Sequence, residues 1–461
     1  MVSVSINGSA RFFRASFRAL LFLALSGCIS EDIIEPQQAE PPPVPPPIPA
    51  PSCSAFVISG YTDRISYYTG EKIQVFIESN QGVALCGLTI FTVMGDSIFS
   101  VPAAVTIAPT LSADASQHGF NYTVAAEFMV PELKSGVYLI EDKIPFIIKT
   151  DGAVDVMVVY PSNTANAYAT SGGKNFYSAQ QRPPVLSFQR PIPLQSLSEV
   201  CLRWFSTLRD ISVGYVADVD MDAFENIRYA RMLVVPGHSE YWTRAARKNF
   251  DAFVNAGGDA LILSGNTMWW QVRYSEDGTK LICYKDSVAD PVNDPTLKTI
   301  QWSSPSLDYS ILSSIGAHFP NGGYGLKNDL GWNGYKIVTP ESPLFEGLGL
   351  NKGDILPLPS LEYDGSPISG FDSAGYPIID KGALGFEKIE LLAFDKGYRA
   401  AETVATFIVF QKTREAGVVI NTASTDWCSS GGMGGMSGNA IRTITHNAMK
   451  KLLNNDPVFT Q

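Results

Sequence analysis

The 461-residue sequence has only four histidines and six cysteines, and no two cysteines stand in a Cys-x-x-Cys spacing. A thiolate zinc site is excluded on spacing, and a three-histidine zinc centre is hard to assemble from so few rings. No Gly-x-Ser-x-Gly pentapeptide occurs, so the strand-to-helix elbow of a serine hydrolase is missing and covalent acyl transfer becomes the weaker idea. Beyond the first twenty residues no cluster of Lys and Arg appears, and the net charge is −11. A phosphate-backbone partner needs a basic face, so nucleic acid is excluded as a partner.

What is present begins at the N-terminus. Arg11, Arg14 and Arg18 precede "ALLFLALSG", an apolar run too short for an ordinary transmembrane span and flanked like an export signal. It ends in Leu25-Ser26-Gly27-Cys28, which resembles the bacterial lipobox, whose cysteine is lipidated and becomes the mature N-terminus. The expectation is a lipoprotein signal over residues 1–28 and a lipid anchor at Cys28, in the bacterial cell envelope and facing away from the cytoplasm. Residues 29–52 contain "PQQAEPPPVPPPIPAP", a semi-rigid polyproline spacer of about 3 Å per residue. Of the five remaining cysteines, Cys53 and Cys86 are the natural disulfide pair in an oxidising compartment.

Residues 53–150 alternate apolar and polar in short runs such as "KIQVFIES" and "LTIFTVMG", which predicts a β-sandwich. From 151 to 461 the rhythm changes. "VDVMVVYP" is continuously apolar, as in a strand buried on both faces, and "SLSEVCLRWFSTL" has helical spacing. "RMLVVPG" then leads to a helix capped by Thr243, with Ala246, Phe250, Phe253 and Val254 on one stripe and a stop at Gly257-Gly258. This order predicts a Rossmann-like α/β domain with a parallel sheet, whose ligands bind beyond the carboxyl ends of its strands. "PGHSE" and "SGNT" both fall on that edge.

Glu240 of "GHSEYW" is the best-placed carboxylate for a metal, and it reads equally as an acid near a helix N-terminus, favoured by the helix dipole. A resemblance bears on the choice. "NAYATSGGKNFY", "VLSFQRP", "VVPGHSEYW", "LEYDG" and "GVVINTASTDWC" resemble, in order, the large-subunit family of N,N-dimethylformamidase, with a glutamine-amidotransferase-like α/β domain. The resemblance implies a mononuclear ferric ion (Fe3+) held by two tyrosines and one glutamate, hydrolysing an amide. Carried over by motif, the metal ligands are Tyr138 of the short "SGVY" block, Tyr168 of "NAYA" and Glu240 of "HSE". His238 lies beside them, Glu362 or His238 serves as general base, and Asn266 serves as oxyanion donor. Hard oxygen donors suit a hard ion. The enzyme of that family works with a separate small subunit, which this chain does not supply. The envelope location points to a small-molecule or polymer amide rather than dimethylformamide, and a homo-oligomer stays open. The rival reading is a non-catalytic module that binds a carbohydrate or polymer on Trp242, Trp269 and Trp270.

Overall fold

The computed structural model describes residues 51–460 apart from 80–81, 83, 108 and 326–329. Cys28, the signal segment and nearly all of the polyproline spacer lie outside the described residues. Among the described residues no helix is long and apolar enough to cross a membrane.

The alternating runs of the N-terminal part form eight strands around one core containing Ile73, Val75, Ile77, Leu88, Ile90 and Phe146. Along Lys72–Ser79 every second residue is buried, so the period-two pattern places one face inward. The sandwich expectation is modified in one respect. Ser97–Ile107 pairs antiparallel with Ala84–Thr92 and then, at its end, parallel with Lys72–Ser79, which joins the strands into one curled mixed sheet. A disulfide links Cys53 to Cys86 as expected, while Cys201, Cys283 and Cys428 are free and buried.

The second part is built on five parallel strands in the spatial order Val213–Ala217, Val154–Tyr160, Ala230–Gly237, Asp259–Ser264, Val418–Asn421. Val156 and Val158 enter one core with Cys201, Leu202 and Phe205 of the Ser196–Thr207 helix. Their neighbours Met157 and Val159 enter the opposite core with Phe250, Phe253 and Val254 of the Arg244–Asn255 helix. Burial on both faces explains the unbroken apolar runs. The helical stripe and the Thr243 cap are as expected, with Ala246 N donating to Thr243 Oγ1 at 2.9 Å. Sequence periodicity missed the sheet's other half. Glu402–Gln411 and Lys388–Tyr398 continue it antiparallel, followed by Gly323–Tyr324 and Glu362–Gly365.

The two parts are joined by polar contacts as well as apolar ones. Ser66 Oγ donates to Asp220 at 2.9 Å, Lys149 Nζ to the same oxygen at 3.0 Å, and Tyr215 N to Ser135 Oγ at 2.8 Å. Strand order matters most for function. From Val154–Tyr160 the chain leaves toward one edge, and from Ala230–Gly237 toward the other. The crevice between their carboxyl ends is therefore a topological switch point, where ligands of open α/β sheets bind.

Candidate functional site

The Ala230–Gly237 strand ends at Gly237, whose φ is +69°. A Cβ there would stand 2.8 Å from the Leu197 carbonyl, so only glycine lets the strand end come this close to the neighbouring helix. The turn that follows is pinned through its backbone. Ser239 N donates to Ser264 Oγ at 3.1 Å, Met268 N to Ser239 O at 2.8 Å, Trp270 N to Glu240 O at 2.9 Å, and Glu240 N to Thr164 Oγ1 at 2.9 Å. Glu240 is only 1% exposed, and the helix after it is capped by Thr243. The helix-dipole reading of Glu240 therefore falls.

Two tyrosines meet this carboxylate. Tyr168 closes the Ser162–Tyr168 helix, whose first turn is held by the Asp218 side chain, which accepts from Ser162 Oγ and from Asn163 N at 3.0 Å. At its other end the buried Arg190 donates to the carbonyls of Asn166 (2.6 Å), Ala169 (3.0 Å) and Ser171 (2.6 Å). The chain then turns through Gly172, at φ +77°, where a Cβ would stand 2.6 Å from Ser116 N. This turn returns Tyr177 to stack on Tyr168, with ring centroids 4.5 Å apart. Tyr168 Oη donates to Glu240 Oε2 at 2.9 Å and Tyr177 Oη to Oε1 at 2.5 Å. Burial, and then the Glu240 carboxylate, push both phenols well above the ordinary phenol range. Both therefore stand as protonated donors to Glu240.

A further chain of donors stands behind Tyr177. Lys285 Nζ donates to Tyr241 Oη at 2.7 Å, and Tyr241 Oη donates to Tyr177 Oη at 2.8 Å. The ammonium also lies 3.8 Å from the Tyr177 ring centroid and 4.5 Å from that of Trp270. Burial lowers the Lys285 pKa, opposed by the Glu240 carboxylate.

On the other side of Glu240, His238 Nε2 stands 3.4 Å from Glu240 Oε2 and 3.4 Å from Glu362 Oε2. This nitrogen is buried and has no hydrogen-bond partner. Asn266 occupies the strand-end turn at φ +49°, and its Nδ2 donates to Glu362 Oε2 at 3.0 Å. Gly265 beside it is required by space, because a Cβ would stand 2.5 Å from Thr425 N. Asp364 is fully buried two residues after Glu362. Burial pushes its carboxyl up to about 7, with the hydrogen bond from Thr267 N pulling the other way.

The structure thus brings together Tyr168, His238, Glu240, Asn266 and Glu362. It does not bring Tyr138. That side chain sits in the N-terminal core, stacked on Phe146, and its hydroxyl donates to Lys134 O at 2.7 Å. The second phenol at Glu240 is instead Tyr177, the last residue of the "NAYATSGGKNFY" block. The motif contained it, and only its distance from Tyr168 along the chain hid the pairing. Lys285 was missed because nothing around it in sequence marks it. The tryptophans expected as stacking platforms are mostly engaged in packing. Trp242 is 1% exposed and donates to Ser239 O, and Trp269 is 5% exposed against Phe319.

Among the described residues no three His, Cys, Asp or Glu side chains are arranged to hold a metal ion, so a cation here depends on the phenols. The donor set suits a hard ion. Two phenol oxygens meet the two oxygens of one buried carboxylate, and a cation bound by them would displace the phenol protons. His238 Nε2, without a hydrogen-bond partner, stands 3.4 Å from one of these carboxylate oxygens. A cleft of about 570 Å3 opens onto Tyr168, His238 and Glu362. Comparison of the whole sequence with known proteins gives two results. No curated protein matches. The family described as "N,N-dimethylformamidase beta subunit-like, C-terminal" matches residues 93–436.

Proposed function

The chain belongs to the N,N-dimethylformamidase beta subunit-like family, and from that premise we propose that it hydrolyses the C–N bond of an amide at the Glu240 cluster, on a glutamine-amidotransferase-like α/β frame. The observation that carries this reading is the convergence of Tyr168 and Tyr177 on the two oxygens of buried Glu240. Tyr168, Tyr177 and Glu240 would hold a hard cation such as Fe3+, whose chemistry there is Lewis-acid polarisation of a carbonyl and acidification of water.

The chain's own residues supply the proton handling. Glu362, with His238 Nε2 3.4 Å away, would accept a proton from the attacking water and return it to the leaving amine nitrogen. Asn266 holds Glu362 in that orientation, because its amide is engaged by the Glu362 carboxylate. Lys285 and Tyr241 fix the Tyr177 hydroxyl from behind.

The envelope reading belongs to the same proposal. A lipid at Cys28 and the polyproline spacer would hold the folded part off a membrane, facing away from the cytoplasm. The Cys53–Cys86 disulfide supports an oxidising compartment. The test is metal analysis with a visible spectrum on the purified protein and its Glu240→Ala variant, followed by an amide hydrolysis assay. Stoichiometric iron with a phenolate charge-transfer band, lost in the variant, and amide turnover are expected. Protein that stays colourless and inactive after loading with Fe3+ removes the reading.

A further inference from the structure

We infer that the cleft beside Glu240 takes neutral amides carrying an extended apolar substituent, an inference that deepens the hydrolase reading and rests on it for the word amide. Three observations carry it. The first is size. The cleft of about 570 Å3 lies within the range of sites that hold drug-sized ligands, about 300–1,000 Å3. A simple dialkylformamide would occupy one corner and leave the remainder to water.

The second is the division of the walls. Tyr168, His238 and Glu362 gather at one end, where the reacting carbonyl would sit. Elsewhere the lining is uncharged: Ala165, Ala169, Pro193, Leu194, Leu197 and Leu361 make its apolar part, interspersed with Thr164, Thr170, Gln195, Ser196 and Thr425. Leu361 is half exposed, an apolar side chain kept at the mouth beside a polar centre. An exposed leucine alone means little, but here it continues a wall whose other members face the same space.

The third is charge. Among the described residues no Lys or Arg lines the cleft, and the nearby Arg399 guanidinium is engaged over the Trp269 and Phe319 rings. A substrate carboxylate or phosphate would be desolvated there with no fixed side-chain cation to pair with it, which is costly. A neutral substituent escapes this cost and gains from burying apolar area.

The test is binding of N-alkylacetamides, from methyl to octyl, to the full-length metal-free protein, together with the octyl analogue ending in a carboxylate. Burial of each methylene stabilises by about 0.8 kcal/mol, so affinity should rise about fourfold per carbon over the first several. The carboxylate analogue should bind at least tenfold more weakly than octyl. Leu361→Asp should flatten the series, since it changes only a wall side chain and keeps the backbone bond from Leu361 N to Asp426 at 2.8 Å. If that variant fails to fold, the wild-type series decides alone. Affinity independent of chain length, or a carboxylate analogue binding as tightly as octyl, overturns the inference. Amide turnover by the iron-loaded protein is measured separately. Graded binding without turnover keeps this inference and removes the hydrolase reading, whereas dimethylformamide turnover with a flat series does the reverse.

Discussion

The Tyr177 hydroxyl donates to Glu240 Oε1 at 2.5 Å, across 63 residues of sequence, while Tyr168 takes the other oxygen. If this pair of phenols holds a cation, Tyr177→Phe and Tyr168→Phe should each lower iron affinity by about 100-fold or more, at or above the upper end of the loss seen for supporting residues at metal sites. The charge-transfer band should fade with it. Tyr138→Phe is the contrasting variant. It should leave iron binding intact and cost about 1 kcal/mol of stability, because it removes one hydrogen bond to Lys134 O. Equal iron loss in Tyr138→Phe would return that residue to the site.

Glu362 and Asn266 should separate by magnitude. Glu362→Gln removes the proton acceptor, and kcat for amide hydrolysis should fall by about 10²–10⁴-fold. Asn266→Ala leaves the carboxylate present but loosely held, so the fall should be smaller, on the order of tenfold. The steady-state rates of the two variants decide. A greater loss in Asn266→Ala would mean that its amide serves the oxyanion rather than Glu362.

Lys285 gives a prediction about stability. Lys285→Met keeps the length of the stem but removes the donor to Tyr241 and the cation over Tyr177. A charge-assisted hydrogen bond of this kind is worth about 1.5–3 kcal/mol, so the denaturation midpoint should drop accordingly. Lys285→Arg should recover part of it. Unchanged midpoints for the Met variant would show that the ammonium contributes nothing to holding the cluster.

Asp218 predicts a pH dependence. Burial raises its carboxyl to about 8, against hydrogen bonds from Ser162 and Asn163 that pull it back. Between its ordinary value of 3.8 and about 8 the folded chain keeps this proton and the unfolded chain does not. Its favourable contribution is therefore full below about pH 4 and declines as pH rises through that window, by at most about 1.4 kcal/mol per pH unit. Asp218→Asn keeps an acceptor for the first turn of the Ser162–Tyr168 helix and removes the ionisation. Thermal unfolding from pH 4 to 8 should show a smaller loss of Tm in the variant, and parallel curves would refute it.

The sequence by itself determined the elements whose signals are local. Val154–Tyr160 reads as a strand buried on both faces because seven successive positions contain no Gly, Pro, Asn or Ser and only one charge, and both helix-bearing cores confirm it. Thr243 reads as a cap because an N-cap hydroxyl serves a backbone N–H three residues on. Position after a strand placed Glu240 and Asn266 at one sheet edge before any side chain could be located, whereas Glu362 came from the resemblance of "LEYDG".

Tertiary structure decided which side chains share a point. The sequence offered Tyr138, by resemblance, as the second phenol beside Tyr168, and gave Tyr177 no role although it lies in the same motif. Only packing separates them, since Tyr138 is drawn into the N-terminal core while the Gly172 turn brings Tyr177 back under Tyr168. The contacts of Glu240 with Tyr168 and Tyr177 span 72 and 63 residues, and the Lys285 contact with Tyr241 spans 44. Hydrogen bonds of such span leave no periodicity in the chain, because side-chain partners are set by where strands and turns pack rather than by spacing along it.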